Sequence, residues 1–390
     1  MLMSKALLII FQHSTSLLTD SGNAENFAAY AAISKTHILK TSGPSVVIVS
    51  VCLIHRIELY LNNKEVTPMA TDYILFNHGV NTRETRPQPS YADPLFNLIQ
   101  RYYHNPQGRA LKKIALYWGD VNEDEEQDLL KTYRASAIWQ KLWFLQFREQ
   151  QLLQFVGDAA LYISRSCGAS VADALEKQAA AELQGYGSRD DRLHIVTHSM
   201  GTIILFDMLF SARWDPVDAP GHDSVAAIRS GLFGVSPNPG QGIRLGSIST
   251  MGSPIGFFSL MDVNQSMEDA RDANGNIIST HDITPRLEKL LDSLFKESGK
   301  KLPWYNFLHP GDPIAYPLEK LLPKLVDGKS QYIDIQDILT HLTTLSDLVA
   351  EPFSQTLVAL LHGGEAHNSY WQSDLVAQQI AQVIERAVQP

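Results

Sequence analysis

From residue 72 onward, short apolar runs alternate with longer stretches in which apolar residues recur at helical spacing. Apolar runs of four to eight residues are typical of strands that are buried on both faces of a sheet. The pattern predicts strands at residues 73–76, 113–118, 193–196, 243–251, 304–308 and 332–335. It predicts helices at residues 94–103, 132–164, 170–184, 201–211 and 373–388. This alternation predicts an α/β fold with a mainly parallel, doubly wound sheet.

Several segments interrupt or precede the regular alternation. We interpret residues 1–71 as an N-terminal extension with possible early strands, and residues 72–390 as one large domain. A helical insertion at about residues 128–165 is rich in Trp and Phe, and it is either a helix packed on the core or a lid beside an apolar substrate. The acidic stretch at 120–128 predicts a solvated loop or a helix N-terminus. The Gly- and Pro-rich stretch at 221–242 predicts a loop.

Composition and charge narrow the functional classes. The chain has 42 acidic and 32 basic residues, a net charge of −10, so it lacks the basic footprint of a nucleic-acid-binding protein. Its two cysteines, Cys52 and Cys167, do not predict a disulfide framework, and we expect free thiols. The early apolar runs are too short for a convincing signal peptide or a membrane span. We therefore expect a cytoplasmic protein, with export left open.

A candidate nucleophile lies in the stretch LHIVTHSMGTIILFDML, residues 193–209. A predicted strand lies just upstream of Ser199 and a predicted helix just downstream. A sharp strand-to-helix turn exposes a serine hydroxyl, and small residues two positions to either side let the strand and helix approach closely. Gly201 supplies one such position. Thr197 stands where glycine is commonest, so we expect small side chains around the turn. The alternative is a serine that caps a helix.

A second motif, FNHGVNT, follows the first predicted strand at residues 76–82. Together with the Ser199 turn, it resembles the α/β-hydrolase superfamily, and more narrowly the lipase-like serine esterases. The resemblance extends over about residues 72–388. The stretches HGVNT and GSP are also distantly similar to GPI inositol-deacylase-type hydrolases.

The resemblance implies roles for the residues around the turn. It implies an oxyanion hole formed by the backbone N–H groups of Val80 and Met200. Gly79 then permits a tight turn, and His78 supports the loop without transferring a proton. His198 and Gly201 are expected to support the site.

The family's chain order, Ser then Asp or Glu then His, directs attention to the later loops. His367 lies just before the last predicted helix, in the run EAHNSYW, which resembles the family's catalytic-histidine loop. We favour it as the general base over its rival His362. His341 is read as part of a helix.

The acid of such a triad should follow a strand on the same edge of the sheet. Asp312 lies in the turn signal PGDP after the fifth predicted strand, and the resemblance implies that it accepts the Nδ1–H of the histidine. Asp282, Asp334 and Asp337 remain alternatives. Asp334 lies inside a predicted strand and Asp337 follows that strand.

A second serine also follows a predicted strand, in the run TMGSP at residues 250–254. Ser253 is followed by Pro254, which has no N–H to donate to an oxyanion. We therefore expect Ser253 to line the pocket and not to act as the nucleophile.

These residues predict a serine carboxylic-ester hydrolase, an esterase or lipase, acting through an acyl-enzyme on Ser199 with His367 as base and Asp312 as orienting acid. No cofactor and no metal is expected, and the partner is a small-molecule or lipid ester, with contact to a membrane surface possible. Alternatives on the same triad are a phospholipase and a thioesterase or acyltransferase. A catalytically silent binding protein is the non-enzyme alternative.

Overall fold

In the described part of the chain, six parallel strands form a single sheet in the computed structural model. Their order across the sheet is β2-β1-β3-β4-β5-β6, and every neighbouring pair is parallel. The strands are β1 (Thr71–Asn77), β2 (Ala110–Leu116), β3 (Arg192–His198), β4 (Arg244–Met251), β5 (Leu302–Leu308) and β6 (Ile333–Leu339).

Helices follow the strands in alternation. They are α1 (Asp93–Tyr102), α2 (Glu123–Arg134), α3 (Arg165–Leu183), α4 (Met200–Phe210), α5 (His222–Ser230), α6 (Thr284–Ser298), α7 (Leu322–Val326) and α8 (Asp374–Ala387). Short 3-10 turns lie at Trp139–Lys141, Ala212–Trp214, Ile255–Phe257 and Ser369–Gln372.

The structure describes residues 70–79, 89–105, 108–121, 123–142, 145, 149, 162, 165–183, 189–257, 282–340 and 366–387. All of them belong to the second of two compact units, since the boundary between the units falls after Pro68. The predicted N-terminal extension, about half of the predicted helical insertion and Cys52 lie outside the described residues, whereas Cys167 forms no disulfide with a described residue. None of the described helices is long and apolar enough to cross a membrane.

The sheet is buried on both faces because successive side chains of a strand point to opposite sides. In β1, Tyr73 and Leu75 pack on one face, whereas Ile74 and Phe76 pack on the other. The first face is covered by α3, α4, α5 and α6, and the second by α1 and α8. On α6, four buried leucines at helical spacing make this contact, namely Leu287, Leu290, Leu291 and Leu294.

The carboxyl ends of four strands meet at one edge of the sheet. Asn77 at the end of β1 pairs with Thr197 in β3, His198 pairs with Met251 at the end of β4, and Met251 pairs with Phe307 in β5. The strand order also reverses between β1 and β3. In open parallel sheets, ligands bind outside the carboxyl ends of strands at such a reversal. The loops that follow β1 and β3 therefore form the expected position of a site.

The predicted fold class is confirmed, and each predicted strand overlaps an observed one. Two element predictions are wrong. The segment at 221–242 contains helix α5, because Val225 packs into the core and the glycines lie at or beyond the helix ends. The helix predicted to begin at residue 132 begins instead at Glu123, and it ends at Arg134 because turns follow it. Strand β6 extends to Leu339, so Asp337 lies within it and does not follow it.

A buried ion pair joins the amino ends of the strands. Arg109 donates two side-chain hydrogen bonds to Asp72 Oδ1, at 2.7 and 3.0 Å, and one to Oδ2 at 2.9 Å, while the Tyr103 hydroxyl donates to Oδ2. Burial would raise the pKa of Asp72, but contacts with His194 and Arg109 outweigh it and hold the pKa at about 2. The carboxylate is therefore ionised and depends on its partners.

Replacing Arg109 by Met leaves the carboxylate of Asp72 buried with fewer donors. We expect Arg109→Met to lower the free energy of unfolding at pH 7 by about 3–5 kcal/mol, the cost of removing one partner of a buried pair. In the unfolded chain, Asp72 has the ordinary aspartate pKa of about 3.9. The wild-type pair therefore stabilises the fold fully above this pH, and the stabilisation is lost as the pH falls towards the folded pKa of about 2. Urea unfolding from pH 7 to pH 2 measures both effects, and the difference in free energy of unfolding between the wild type and the variant should shrink below about pH 4.

The matched control for this variant is Arg134→Met, which removes an exposed pairing with Glu149. Its unfolding midpoint should stay close to that of the wild type. Equal effects of the two substitutions would contradict a structural role for the Asp72–Arg109 pair.

Candidate active site

Ser199 occupies a sharp turn between β3 and α4. Its φ of 53° and ψ of −132° lie in a region that side-chain-bearing residues rarely adopt. The backbone N–H of Ser199 donates to the Met251 carbonyl at 3.0 Å, which extends the β3–β4 ladder through the turn. No side-chain hydrogen bond from Ser199 caps α4. The hydroxyl is therefore not used as a helix cap, which was the alternative considered from the sequence.

Close backbone contacts explain why glycines flank the turn. A Cβ atom on Gly201 would lie 2.1 Å from the His78 carbonyl oxygen, and one on Gly79 would lie 2.6 Å from Ser199 Cβ. The loop after β1 thus lies directly against Ser199. Thr197 is accommodated by a hydrogen bond of 2.9 Å that its hydroxyl accepts from Thr202, a small residue one turn into α4.

One of the two predicted oxyanion donors lies in the described part of the chain. Met200 is the first residue of α4, where backbone N–H groups have no partner within the helix and the helix dipole favours negative charge. Val80 lies outside the described residues.

His78 is held by its own loop and by a neighbouring strand end. The backbone N–H of Trp118 donates to Nε2 at 3.1 Å, so this nitrogen carries no proton. Nδ1 then donates to the Gly79 carbonyl at 2.6 Å. The ring also stacks on Trp118 with centroids 5.0 Å apart. Both ring nitrogens form hydrogen bonds with backbone groups, so neither is available to take a proton from Ser199.

His367 and Asp312 form a hydrogen-bonded pair at the same edge of the sheet. His367 Nδ1 donates to Asp312 Oδ2 at 2.9 Å. Asp312 follows β5 in a turn closed by its own N–H, and its Oδ1 accepts the N–H of Ile314 at 2.9 Å. A Cβ on Gly252, the residue after β4, would touch both Asp312 Oδ2 and His367 Nδ1. Gly252 directly follows Met251, whose carbonyl accepts the N–H of Ser199. The end of β4 therefore contacts both Ser199 and the His367–Asp312 pair.

The other acidic candidates are engaged elsewhere. Asp337 accepts hydrogen bonds from Asn306 and from two backbone N–H groups. Asp334 pairs with Arg386, and Asp282 accepts the backbone N–H and hydroxyl of Thr284 at the start of α6. The rival histidines His362 and His341 lie outside the described residues.

Two atoms of the site are buried without a hydrogen-bond partner in the described part of the chain. They are Ser199 Oγ and His367 Nε2. Burial of an unpaired polar atom is costly, and such atoms collect at functional sites. A hydroxyl and an imidazole nitrogen are complementary as donor and acceptor, and the hydrogen bond between such groups often tightens only when substrate is bound.

A serine on a strained strand-to-helix turn at the carboxyl edge of a parallel sheet, with an acid and a histidine following in that order, defines one known fold. This is the α/β-hydrolase fold. No protein-family model and no curated protein matches the chain.

The chain is distantly similar to several solved structures. A dienelactone hydrolase from Anabaena variabilis is 13% identical, with 76% of this chain and 85% of that chain covered and a TM-score of 0.26. A metagenome-derived lipolytic enzyme is 12% identical, with coverages of 73% and 92% and a TM-score of 0.25. The RedJ thioesterase of Streptomyces coelicolor is 13% identical, with coverages of 76% and 91% and a TM-score of 0.26.

Tyr370 is a site residue that the sequence analysis did not single out. Its hydroxyl donates to Asp312 Oδ2 at 2.7 Å and accepts the backbone N–H of His309 at 2.8 Å. The spacing His-x-x-Tyr was the available signal, since residues three apart share one face of a helical turn. Its target, Asp312, lies too far away in sequence to be recognised.

His198, predicted as a supporting residue, contacts His367 directly. Its Nε2 donates to the His367 carbonyl at 2.6 Å, and the two rings lie 4.5 Å apart. Burial and the proximity of His367 lower the pKa of His198 to about 3. His198 is therefore neutral, and it anchors the backbone of His367 without competing for its proton.

Ser253 follows β4 at the carboxyl edge of the sheet, and its side chain stabilises the local turn. Its Oγ accepts the N–H of Ile255 at 3.2 Å and so begins the 3-10 turn that follows β4.

Beyond this turn, an apolar cavity of about 100 Å³ is lined by residues that include Ile255, Gly256 and Leu321. A larger apolar cavity of about 280 Å³ lies between α3, α4 and α5, and neither cavity is lined by Ser199 or His367.

No group of three or more His, Cys, Asp or Glu residues suited to hold a metal ion occurs among the residues that the structure describes.

The close packing at Gly201 predicts a large effect of a single methyl group. We expect Gly201→Ala to lower the free energy of unfolding by about 3 kcal/mol, because the contact is with a backbone carbonyl that cannot move aside without displacing β1. Gly240→Ala is the matched control, since a Cβ at position 240 meets nothing within 4 Å. Thermal unfolding of both variants measures the difference, and similar midpoints would contradict the described contact.

The neutral state of His198 predicts an acid-dependent loss of stability. The unfolded chain takes up a proton at His198 near pH 6.5, whereas the folded protein does so only near pH 3. Between these values the unfolded state binds more protons, so this residue lowers the free energy of unfolding by about 1.4 kcal/mol per pH unit below pH 6.

Urea unfolding at pH 6, 5 and 4 tests this dependence on His198. We expect His198→Gln, which keeps a donor without a titrating ring, to have a shallower slope than the wild type. The matched control is His104→Gln, which changes an exposed histidine. A slope unchanged by His198→Gln would contradict the neutral assignment.

Proposed function

We propose that this protein is a serine hydrolase acting on carboxylic esters, with Ser199 as nucleophile, His367 as general base and Asp312 as orienting acid. One observation carries the proposal. A buried serine hydroxyl without a hydrogen-bond partner among the described residues lies on a strained strand-to-helix turn. It shares a sheet edge with a histidine whose Nδ1 is hydrogen-bonded to a carboxylate. Nucleophilic catalysis by serine requires a base of this kind, oriented by a third group.

The protonation state of Asp312 supports this assignment of roles. Burial alone would raise the pKa of Asp312, but hydrogen bonds from His367, Tyr370 and the Ile314 N–H together lower it. Asp312 is therefore ionised at neutral pH. A carboxylate on Nδ1 leaves Nε2 of His367 as the proton acceptor and stabilises the imidazolium that forms.

The proposed reaction follows from these roles. His367 Nε2 takes the proton of Ser199 while Oγ attacks the ester carbonyl, and the backbone N–H groups of Met200 and Val80 hold the developing oxyanion. The protonated His367 then gives its proton to the leaving alcohol, which leaves an acyl group on Ser199. Water, activated by His367, attacks the acyl-enzyme and releases the acid.

The proposal predicts that Ser199→Ala loses hydrolysis of p-nitrophenyl esters by about 10³-fold or more, because the nucleophile of the covalent step is removed. A fluorophosphonate probe should label the wild type at Ser199 and leave Ser199→Ala unlabelled. A chain-length series from acetate to palmitate, presented below and above its micellar concentration, should then define the acyl group.

Ser253→Ala is the matched control, since Ser253 is the other serine that follows a strand at this edge. It should remain labelled at Ser199. Wild-type protein that neither hydrolyses any ester nor reacts with the probe would overturn the proposed function and favour a binding protein on this fold.

A further inference from the structure

The Tyr370 hydroxyl and the imidazole of His367 converge on a single oxygen of Asp312. Oδ2 accepts from Tyr370 at 2.7 Å and from His367 Nδ1 at 2.9 Å. The direction of each bond is determined, because the His309 N–H can only donate to the phenol and an ionised carboxylate can only accept from it. The single hydroxyl proton of Tyr370 therefore points at Asp312.

The short segment 366–372 brings both donors to this oxygen. His367 and Tyr370 are three residues apart on consecutive helical turns, and the Ser369 hydroxyl donates to the Ala366 carbonyl within the same segment. The Tyr370 ring is fully buried. It lies 5.8 Å from the ring of His198, which in turn binds the carbonyl of His367. A movement of Tyr370 would therefore alter the acid and the base together.

Charge at this point comes from few groups. Among the residues that the structure describes, the titratable side chains that face Asp312 are His367 and Tyr370 from the segment 366–372 and His198 from β3, while His309 precedes it on its own loop. Burial and the negative charge of Asp312 raise the pKa of Tyr370. Tyr370 therefore stays protonated throughout the neutral range and remains a hydrogen-bond donor.

We propose that Tyr370 is a positioning residue for the reaction assigned to Ser199, holding Asp312 ionised and directed at Nδ1 of His367. This inference rests on the proposed function. A buried carboxylate needs hydrogen-bond donors to remain charged. Tyr370 supplies one such donor to Asp312 Oδ2, the oxygen that also accepts from His367.

The test replaces Tyr370 by Phe, which keeps the ring and removes the donor. Loss of one of the two donors on Oδ2 leaves more of the carboxylate charge to stabilise the imidazolium of His367. The acid limb of the kcat/KM profile, which reports protonation of this base, should therefore shift upward by about one pH unit. The kcat, normalised to sites labelled by a fluorophosphonate, should fall about tenfold with little change in KM.

Tyr305→Phe is the matched control. Tyr305 is buried in the same apolar cluster, but its hydroxyl accepts from Arg386 and does not contact Asp312. Its pH profile should coincide with that of the wild type. A Tyr370→Phe enzyme with an unshifted acid limb would overturn the proposal and leave Tyr370 a packing residue.

A double-mutant cycle with Asp312→Asn distinguishes action through the carboxylate from packing. If Tyr370 acts through Asp312, adding Tyr370→Phe to Asp312→Asn should cost little further activity, whereas a packing role predicts independent losses. If the single variant fails to fold, recovery of folded protein in the Asp312→Asn background supports the proposal, and failure in both backgrounds overturns it.

Failure of the proposed function would have a different signature. Wild-type protein would then hydrolyse no ester and resist the fluorophosphonate. The effect of Tyr370 on Asp312 would still be measurable, because Tyr370→Phe should begin to lose stability at a higher pH than Tyr305→Phe during acid titration.

Discussion

Ser199 holds a backbone conformation that costs a residue with a side chain roughly 1–3 kcal/mol, and the elements around it supply the contacts that maintain it. The Met251 carbonyl binds its N–H, and the Asn77 side chain donates to the Gly201 carbonyl at 2.7 Å. These contacts come from β1 and β4, so neighbouring strands of the sheet maintain the turn that the local sequence permits. The strain also keeps the hydroxyl away from the N–H groups of α4, which would otherwise bind it.

The histidines of the site differ in what they can do because their partners differ. His78 uses both nitrogens within its loop, and His198 is buried and neutral with its Nε2 bound to a carbonyl. His367 has a carboxylate on Nδ1 and a buried Nε2 without a partner in the described part of the chain. Only this combination provides an acceptor for a serine proton together with a counter-charge for the resulting imidazolium.

Much of the fold could be predicted because buried parallel strands leave a simple pattern of apolar runs. All six predicted strands overlap observed ones, and the predicted helices 94–103 and 201–211 differ from α1 and α4 by about one residue at each end. Helix α5 was missed because its helix-flanking glycines resemble a loop signal. The start of α2 was left open between a loop and a helix N-terminus, because its first turns are acidic and therefore carry no apolar spacing.

The sequence by itself determined the fold class, the candidate serine and the chain order of the acidic and histidine loops, since these depend on local patterns and on a recognisable turn. Tertiary structure decided which aspartate lies beside His367, because Asp334 and Asp337 are excluded only by partners distant in sequence, whereas Asp282 is bound by Thr284, two residues away. It also decided that His198 is neutral and that Tyr370 reaches Asp312 across 58 residues. Burial, charge and hydrogen-bond direction are properties of the assembled site, and no periodicity along the chain encodes them.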